Sequence, residues 1–146
     1  MRDAVILLVE DNPDDELLTL RAIHRNRVTN PVIVARDGVE ALDFLFARGK
    51  YETRSPKDLP AIILLDLKLP KLDGLEVLRR LRHDERTRFV PVIILTTSSE
   101  EKDVLSSYTL GANSYVRKPV DFEQFTETVG RIGTYWLQVN QALESI

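Results

Sequence analysis

Apolar positions along the chain gather into five short runs, and between the runs they recur at helical spacing. The runs lie at residues 4–9, 32–35, 62–65, 92–95 and 114–116. The first, third and fourth are almost continuously apolar, as in strands buried on both faces of a parallel sheet. The segments between them carry helix punctuation. Asn12 stands as an N-cap before Pro13 at the first helical position, with Asp14, Asp15 and Glu16 in the first turn and Arg21 and Arg25 toward the end. A second helix is expected over residues 37–46. The third opens with Asp73 followed three residues later by Glu76, and the fourth with Ser98 and Glu101 in the same relation, stopping before Gly111. The fifth begins near Asp121 and is expected to run to about residue 144.

Five strand–helix units in succession predict an α/β fold, a doubly wound five-stranded parallel sheet with helices on both faces. Right-handed crossovers and the chain's size favour the flavodoxin-like strand order 2-1-3-4-5. Residues 1–146 are read as a single domain, with no internal repeat. Two segments exceed what the fold needs. Residues 48–60 form a polar connection from the second helix to the third strand, at the end of the sheet away from the expected site. In the last helix Phe122, Phe125, Val129, Ile132, Trp136, Val139 and Leu143 are spaced alternately three and four apart, a heptad seam. At about 1.5 Å per residue this helix exceeds 30 Å, against roughly 17–20 Å for a typical strand. Trp136, Val139 and Leu143 are therefore expected to project past the sheet and to bury against a second copy in a homodimer.

Composition narrows the picture without changing it. The 146 residues suit one domain with a real core. A net charge of −3 argues against general electrostatic binding of nucleic acid. The basic cluster Arg79, Arg80, Arg82, Arg86 and Arg88 reads as a solvated helix end complementing the macrodipole, because interleaved aromatics are missing. His24 and His83 read as surface residues. With no cysteine, disulfides, thiolate metal sites and cysteine nucleophiles are excluded. No apolar stretch approaches the roughly 20 residues needed to span a bilayer, and Arg2 and Asp3 before a short apolar run do not make a signal peptide. The expectation is a cytoplasmic protein with no membrane partner.

Candidate chemistry follows from the topology. Ligands of such sheets bind outside the carboxyl ends of the strands, where the strand order reverses. Strand one ends in Glu10 and Asp11, strand three in Asp66, strand four in Thr96 and Thr97, and strand five in Arg117 and Lys118. Three close carboxylates repel one another, so either some protonate or a cation sits among them. An all-oxygen donor set suits Mg²⁺ better than a softer metal. A carboxylate nucleophile, a hard cation, an ammonium and a hydroxyl together suit phosphoryl transfer onto an aspartate.

The segments Val9-Glu10-Asp11-Asn12-Pro13, Leu65-Asp66-Leu67-Lys68-Leu69-Pro70 with Asp73-Gly74, Leu95-Thr96 and Tyr115-Val116-Arg117-Lys118-Pro119 resemble the receiver domains (CheY-like) of two-component response regulators. The long connection before strand three and the Asp121-Phe122-Glu123-Gln124-Phe125…Tyr135-Trp136 tail are similar to single-domain regulators paired with cyanobacterial-type phytochrome histidine kinases. This resemblance implies that Asp66 accepts a phosphoryl group from a sensor histidine kinase. It implies that Asp11 binds Mg²⁺ directly and Glu10 through water, with Asp66 and the Lys68 backbone carbonyl completing the protein ligands. Lys118 would pair with Asp66 and then with the phosphoryl oxygens. Thr96 and Tyr115 would switch together, remodelling the face made by the fourth helix, fifth strand and fifth helix. Lys68 and Ser98 would tune dephosphorylation, and the Lys118–Pro119 bond would be cis. The protein would catalyse only its own phosphoryl transfer and slow autodephosphorylation. Glu10 departs from the aspartate the family often carries there, which leaves the metal site credible.

Two other classes share parts of this pattern. An aspartyl-phosphate phosphohydrolase would want an acid two residues after the nucleophile, where Lys68 stands, and a cap over the site. A flavin-binding electron carrier would want a hydroxyl- and glycine-rich loop after strand one, where Glu10-Asp11-Asn12-Pro13 would repel phosphate.

Overall fold

A computed structural model describes residues 4–141. The chain runs β1 (Ile6–Val9), α1 (Pro13–Arg25), β2 (Val32–Ala35), α2 (Gly38–Leu45), β3 (Ile62–Leu65), α3 (Gly74–His83), β4 (Val92–Thr96), α4 (Glu101–Thr109), β5 (Ser114–Arg117) and α5 (Phe122–Gly133). All strand pairs are parallel and the order is β2-β1-β3-β4-β5, as the alternation predicted. Ile6 and Val9 of β1 lie opposite Ile62 and Leu65 of β3, which brings the ends of these two strands level.

The period-two alternation of each strand divides the core in two. Leu7, Val9, Ile63, Leu65, Val92 and Ile94 face α2 and α3 and meet Leu42, Leu45, Val77, Leu78 and Leu81. Ile6, Leu8, Ile62, Leu64, Ile93 and Leu95 face α1 and α5 and meet Ala22, Ile23, Phe125, Val129 and Ile132. Removing one such side chain would cost about 2–5 kcal/mol, so the sheet is a rigid base for the groups at its carboxyl edge.

Caps start the helices where the sequence places them. The Asn12 side chain accepts from the Asp14 and Asp15 N–H groups (2.9 and 3.1 Å), and Asp37, Asp73 and Asp121 each accept from the N–H three residues on. Ser98 does not cap α4. That helix starts after Glu100 with no side-chain cap, and the Ser98 hydroxyl reaches forward to donate to Asp103 at 2.6 Å. Spacing alone cannot separate this from a capping box, because the serine oxygen accepts from the Glu100 N–H at 3.3 Å, before the helix, rather than from a first-turn N–H.

The connection after α2 is folded back rather than loose. It contains a 3₁₀ turn, Gly49–Tyr51, and Tyr51 packs edge-on against Phe44 and donates to Glu40 at 2.9 Å. Arg54 lies over the Phe44 ring and donates to its carbonyl at 2.6 Å.

The last helix departs from expectation. Regular α-helix stops at Gly133, a π-helical segment occupies Thr134–Val139, and Asn140 is extended. The Asn140 N–H closes the segment on the Tyr135 carbonyl five residues back, at 2.6 Å. A wider turn breaks the heptad register. Phe125, Val129 and Ile132 of the seam are buried against the domain itself, Trp136 is half-buried on the same layer, and Val139 is exposed. Leu143 and the expected end of the helix lie outside the described residues.

Candidate functional site

β1 and β3 deliver their acids to one point because they are neighbours in register at the reversal of strand order. Glu10 (2% exposed) follows β1 and Asp66 (9%) follows β3, while Asp11 is exposed at the rim. One carboxylate oxygen from each of Glu10, Asp11 and Asp66 falls within 4.8 Å of the others. Three oxygen donors so close are the donor set a hard divalent cation takes, so the residues present fit such an ion.

Lys118 enters from the end of β5, its backbone N–H bonded to the Thr96 carbonyl at 2.7 Å. Its Nζ donates to Glu10 Oε1 at 2.5 Å, to Asp66 Oδ2 at 3.1 Å and to Asp15 Oδ2 at 3.1 Å. Burial pulls against the charge on this ammonium, but the three carboxylates outweigh it and raise its pKa. Burial pushes the Glu10 carboxyl up to about 7 despite the pull of Lys118. A cation among the three acids would favour its charged form.

The opposite side of Asp66 is held by two donors. Thr96 Oγ1 donates to Asp66 Oδ1 at 2.9 Å, and the Lys68 N–H meets the same oxygen at 3.3 Å. The start of α3 presses on this loop through Gly74, whose N–H bonds to the Leu67 carbonyl at 2.9 Å. A Cβ at Gly74 would overlap the Asp66 carbonyl oxygen, so only glycine lets α3 lie against the residue that carries the carboxylate. Beside the site opens a cleft of about 380 Å³, bordered by Asp11, Lys68, Pro70 and Asp103. The Lys68 side chain is exposed at this mouth.

Tyr115 connects the site to the β4–α4 loop, its hydroxyl donating to the Ser98 carbonyl at 2.8 Å. The Ser98 N–H lies 3.5 Å from Thr96 Oγ1. Hydroxyl, loop and tyrosine thus form one chain of contacts from Asp66 to the outer surface.

The sequence expectations for Glu10, Asp11, Asp66, Thr96 and Lys118 converge on one point, with Lys68, Ser98 and Tyr115 around it. Thr97 and Arg117 point to solvent. The Lys118–Pro119 bond is trans, since no peptide among the described residues is cis. The β5 pairing and the Thr96 carbonyl place Lys118 before that bond is reached, and trans is the preferred isomer by about 0.5–1 kcal/mol. Asp15 was expected only as a first-turn acid. No spacing in the chain signals this contact, because the partner Lys118 lies 103 positions away.

A five-stranded doubly wound sheet with an acidic cluster, a buried lysine and a threonine at its carboxyl edge defines a phospho-acceptor class of α/β protein. The sequence model described as "Response regulator receiver domain" matches residues 6–130, and the chain belongs to that family. It is 42% identical over 138 residues to the "Probable methanogenesis regulatory protein FilR2" of Methanothrix harundinacea, covering 94% of this chain and 86% of that one. It is 40% identical over 134 residues to the response regulator Rcp1 of Synechocystis, covering 92% of this chain and 89% of that one. The crystal structure of the Mn²⁺-bound form of Rcp1 superposes with a TM-score of 0.88, covering 97% and 99% of the two chains. That of the phosphorylated cyanobacterial phytochrome response regulator RcpA gives 0.91 at 37% identity, covering 98% of this chain and all of that one. The fold is the CheY-like flavodoxin fold, and phosphorylation on an aspartate is general to the family. Receiver domains bind a divalent metal. Among the described residues no helix is long and apolar enough to cross a membrane.

Proposed function

We propose that this protein is a response regulator whose Asp66 takes a phosphoryl group from a sensor histidine kinase with Mg²⁺ bound at Glu10, Asp11 and Asp66. The observation that carries the reading is the placement of Asp66, nearly buried and held on one side by Thr96 and on the other by Lys118. Mg²⁺ would be held by Asp11 and Asp66 with the Lys68 carbonyl, and by Glu10 through water, and would neutralise phosphoryl oxygens. Asp66 presents a carboxylate oxygen to phosphorus. The new O–P bond forms as the N–P bond to the donor histidine breaks, and the electron pair leaves with the imidazole nitrogen. Lys118 offers its ammonium to the charge on the phosphoryl oxygens, and the Thr96 hydroxyl turns from Asp66 to one of them. Loss of that hydrogen bond frees the Thr96–Ser98–Tyr115 chain, which borders the face made by α4, β5 and α5. Similarity to the cyanobacterial phytochrome response regulator RcpA supports a phytochrome as the kinase.

The test is incubation with acetyl phosphate, with and without Mg²⁺, followed by intact mass, for the wild type and Asp66→Asn. The expected outcome is a labile phosphoryl adduct in the wild type alone and only with Mg²⁺. An adduct that persists in Asp66→Asn would reject Asp66 as the acceptor.

Self-association is the second reading. Tyr135 (50% exposed) and Val139 (63%) leave an apolar strip beside Trp136. Such a strip supports a homodimer through the C-terminal helical region, now narrower than the heptad seam suggested. A monomeric mass by light scattering at micromolar concentration, phosphorylated and not, would remove it.

A further inference from the structure

The ammonium of Lys118 has three N–H donors and meets three carboxylates: Glu10 Oε1, Asp66 Oδ2 and Asp15 Oδ2. Two of them have other work on the reading above. Asp66 becomes an acyl phosphate and loses its carboxylate charge, and Glu10 is one of the three acids that would face a cation. Asp15 belongs to neither group. It stands in the first turn of α1, and its backbone is fixed at both ends. Its N–H donates to the Asn12 side chain at 3.1 Å, and its carbonyl accepts from the Thr19 hydroxyl at 2.7 Å. Its side chain is 33% exposed while that of Lys118 is 6% exposed, so Asp15 reaches inward from the rim to a buried charge.

We propose that Asp15 is a positioning residue for Lys118, keeping the ammonium in place when phosphorylation and metal binding draw Asp66 and Glu10 away. A buried ammonium that lost two of three acceptors would reorient toward solvent. One retained acceptor from a capped helix turn keeps Nζ over the position the phosphoryl oxygens take up. The bland alternative is a first-turn acid that only complements the helix dipole. That role would stabilise α1 without any dependence on Lys118.

The proposal rests on Asp66 phosphorylation, and its test carries one readout that does not. Metal-free protein carrying Glu10→Gln and Asp66→Asn, which removes the charge of the other two acceptors, is labelled with acetic anhydride and the lysines are mapped by mass spectrometry, with the exposed Lys71 and Lys102 as internal references. Asp15→Asn is expected to raise Lys118 labelling about fivefold, as loss of a charge-assisted hydrogen bond would do, and Asp15→Glu to restore most of the protection. Unchanged Lys118 labelling in Asp15→Asn overturns the proposal. In the second readout, the rate of phosphorylation by acetyl phosphate at saturating Mg²⁺ is expected to fall about fivefold in Asp15→Asn. Half-saturating acetyl phosphate should stay within about twofold, and the effect should vanish in a Lys118→Met background. An equal fall in that background also overturns it. A wild type that takes up no phosphoryl group would instead reject the receiver reading, while the labelling still decides whether Asp15 holds Lys118.

Discussion

Lys68 and Arg82 show how differently two cations on neighbouring segments can act. Lys68 gives its backbone N–H to Asp66 and leaves its side chain exposed at the mouth of the cleft. If an ammonium there shields an acyl phosphate from water, Lys68→Ala should shorten the phosphoryl lifetime about threefold. Equal decay of the phosphorylated forms would remove that role. Arg82, expected as part of a solvated basic cluster, is instead half-buried. It donates to the carbonyls of Arg88, Val90 and Gly111 and to the Asn113 side chain, and burial lowers its pKa. Arg82→Ala strands these acceptors and should cost about 2–3 kcal/mol in urea denaturation. Arg80→Ala, which loses only a surface pair with Glu76, should stay within about 0.5 kcal/mol.

At the scale of elements, the entry of α3 links stability to chemistry. Asp73 caps the helix through the Glu76 N–H at 3.0 Å, and Gly74 lets the first turn rest on the Asp66 backbone. Asp73→Ala should lower stability by about 1 kcal/mol and leave the phosphorylation rate near that of the wild type. Gly74→Ala should cost about 1–3 kcal/mol through overlap and also slow phosphorylation, because the backbone that would yield carries the Asp66 carboxylate. Thermal melts and acetyl phosphate time courses on both variants separate the two effects. If Gly74→Ala phosphorylates normally, contact between α3 and Asp66 does not set the carboxylate's position. The end of α5 makes the complementary point. A seam of apolar residues with perfect spacing divides between core and surface once a π-helical segment shifts the register after Gly133.

At the scale of the whole molecule, two exposed ion pairs tie stability to acid pH. Arg79 and Arg80 hold Glu76 at about 2, below its ordinary 4.5, and Arg86 holds Asp84 at about 2, below 3.8. Carboxyls depressed in the folded state add stability that is full above their unfolded values and disappears as pH falls toward the folded ones. Urea midpoints are therefore expected to drop between about pH 4.5 and pH 2, and Glu76→Gln with Asp84→Asn should flatten that slope. A slope identical to the wild type's would mean that solvent screening erases both pairs.

Much of this architecture was legible in the chain because local chemistry dictates it. Continuous apolar runs, Asn12, Asp37, Asp73 and Asp121 as caps, and acids at the ends of β1 and β3 each act within a few residues or through a topology rule. The sequence by itself therefore determined the five parallel strands, their order, and the meeting of Glu10, Asp11, Asp66, Thr96 and Lys118. What only the tertiary structure decided depends on distances between segments remote in sequence. Asp15 became a partner of a lysine 103 positions away, Arg82 became a buried clamp, and Ser98 turned from a cap into a link between Tyr115 and Asp103. Local pattern reports which face a residue is on. Which atoms wait on that face is settled when the chain closes on itself.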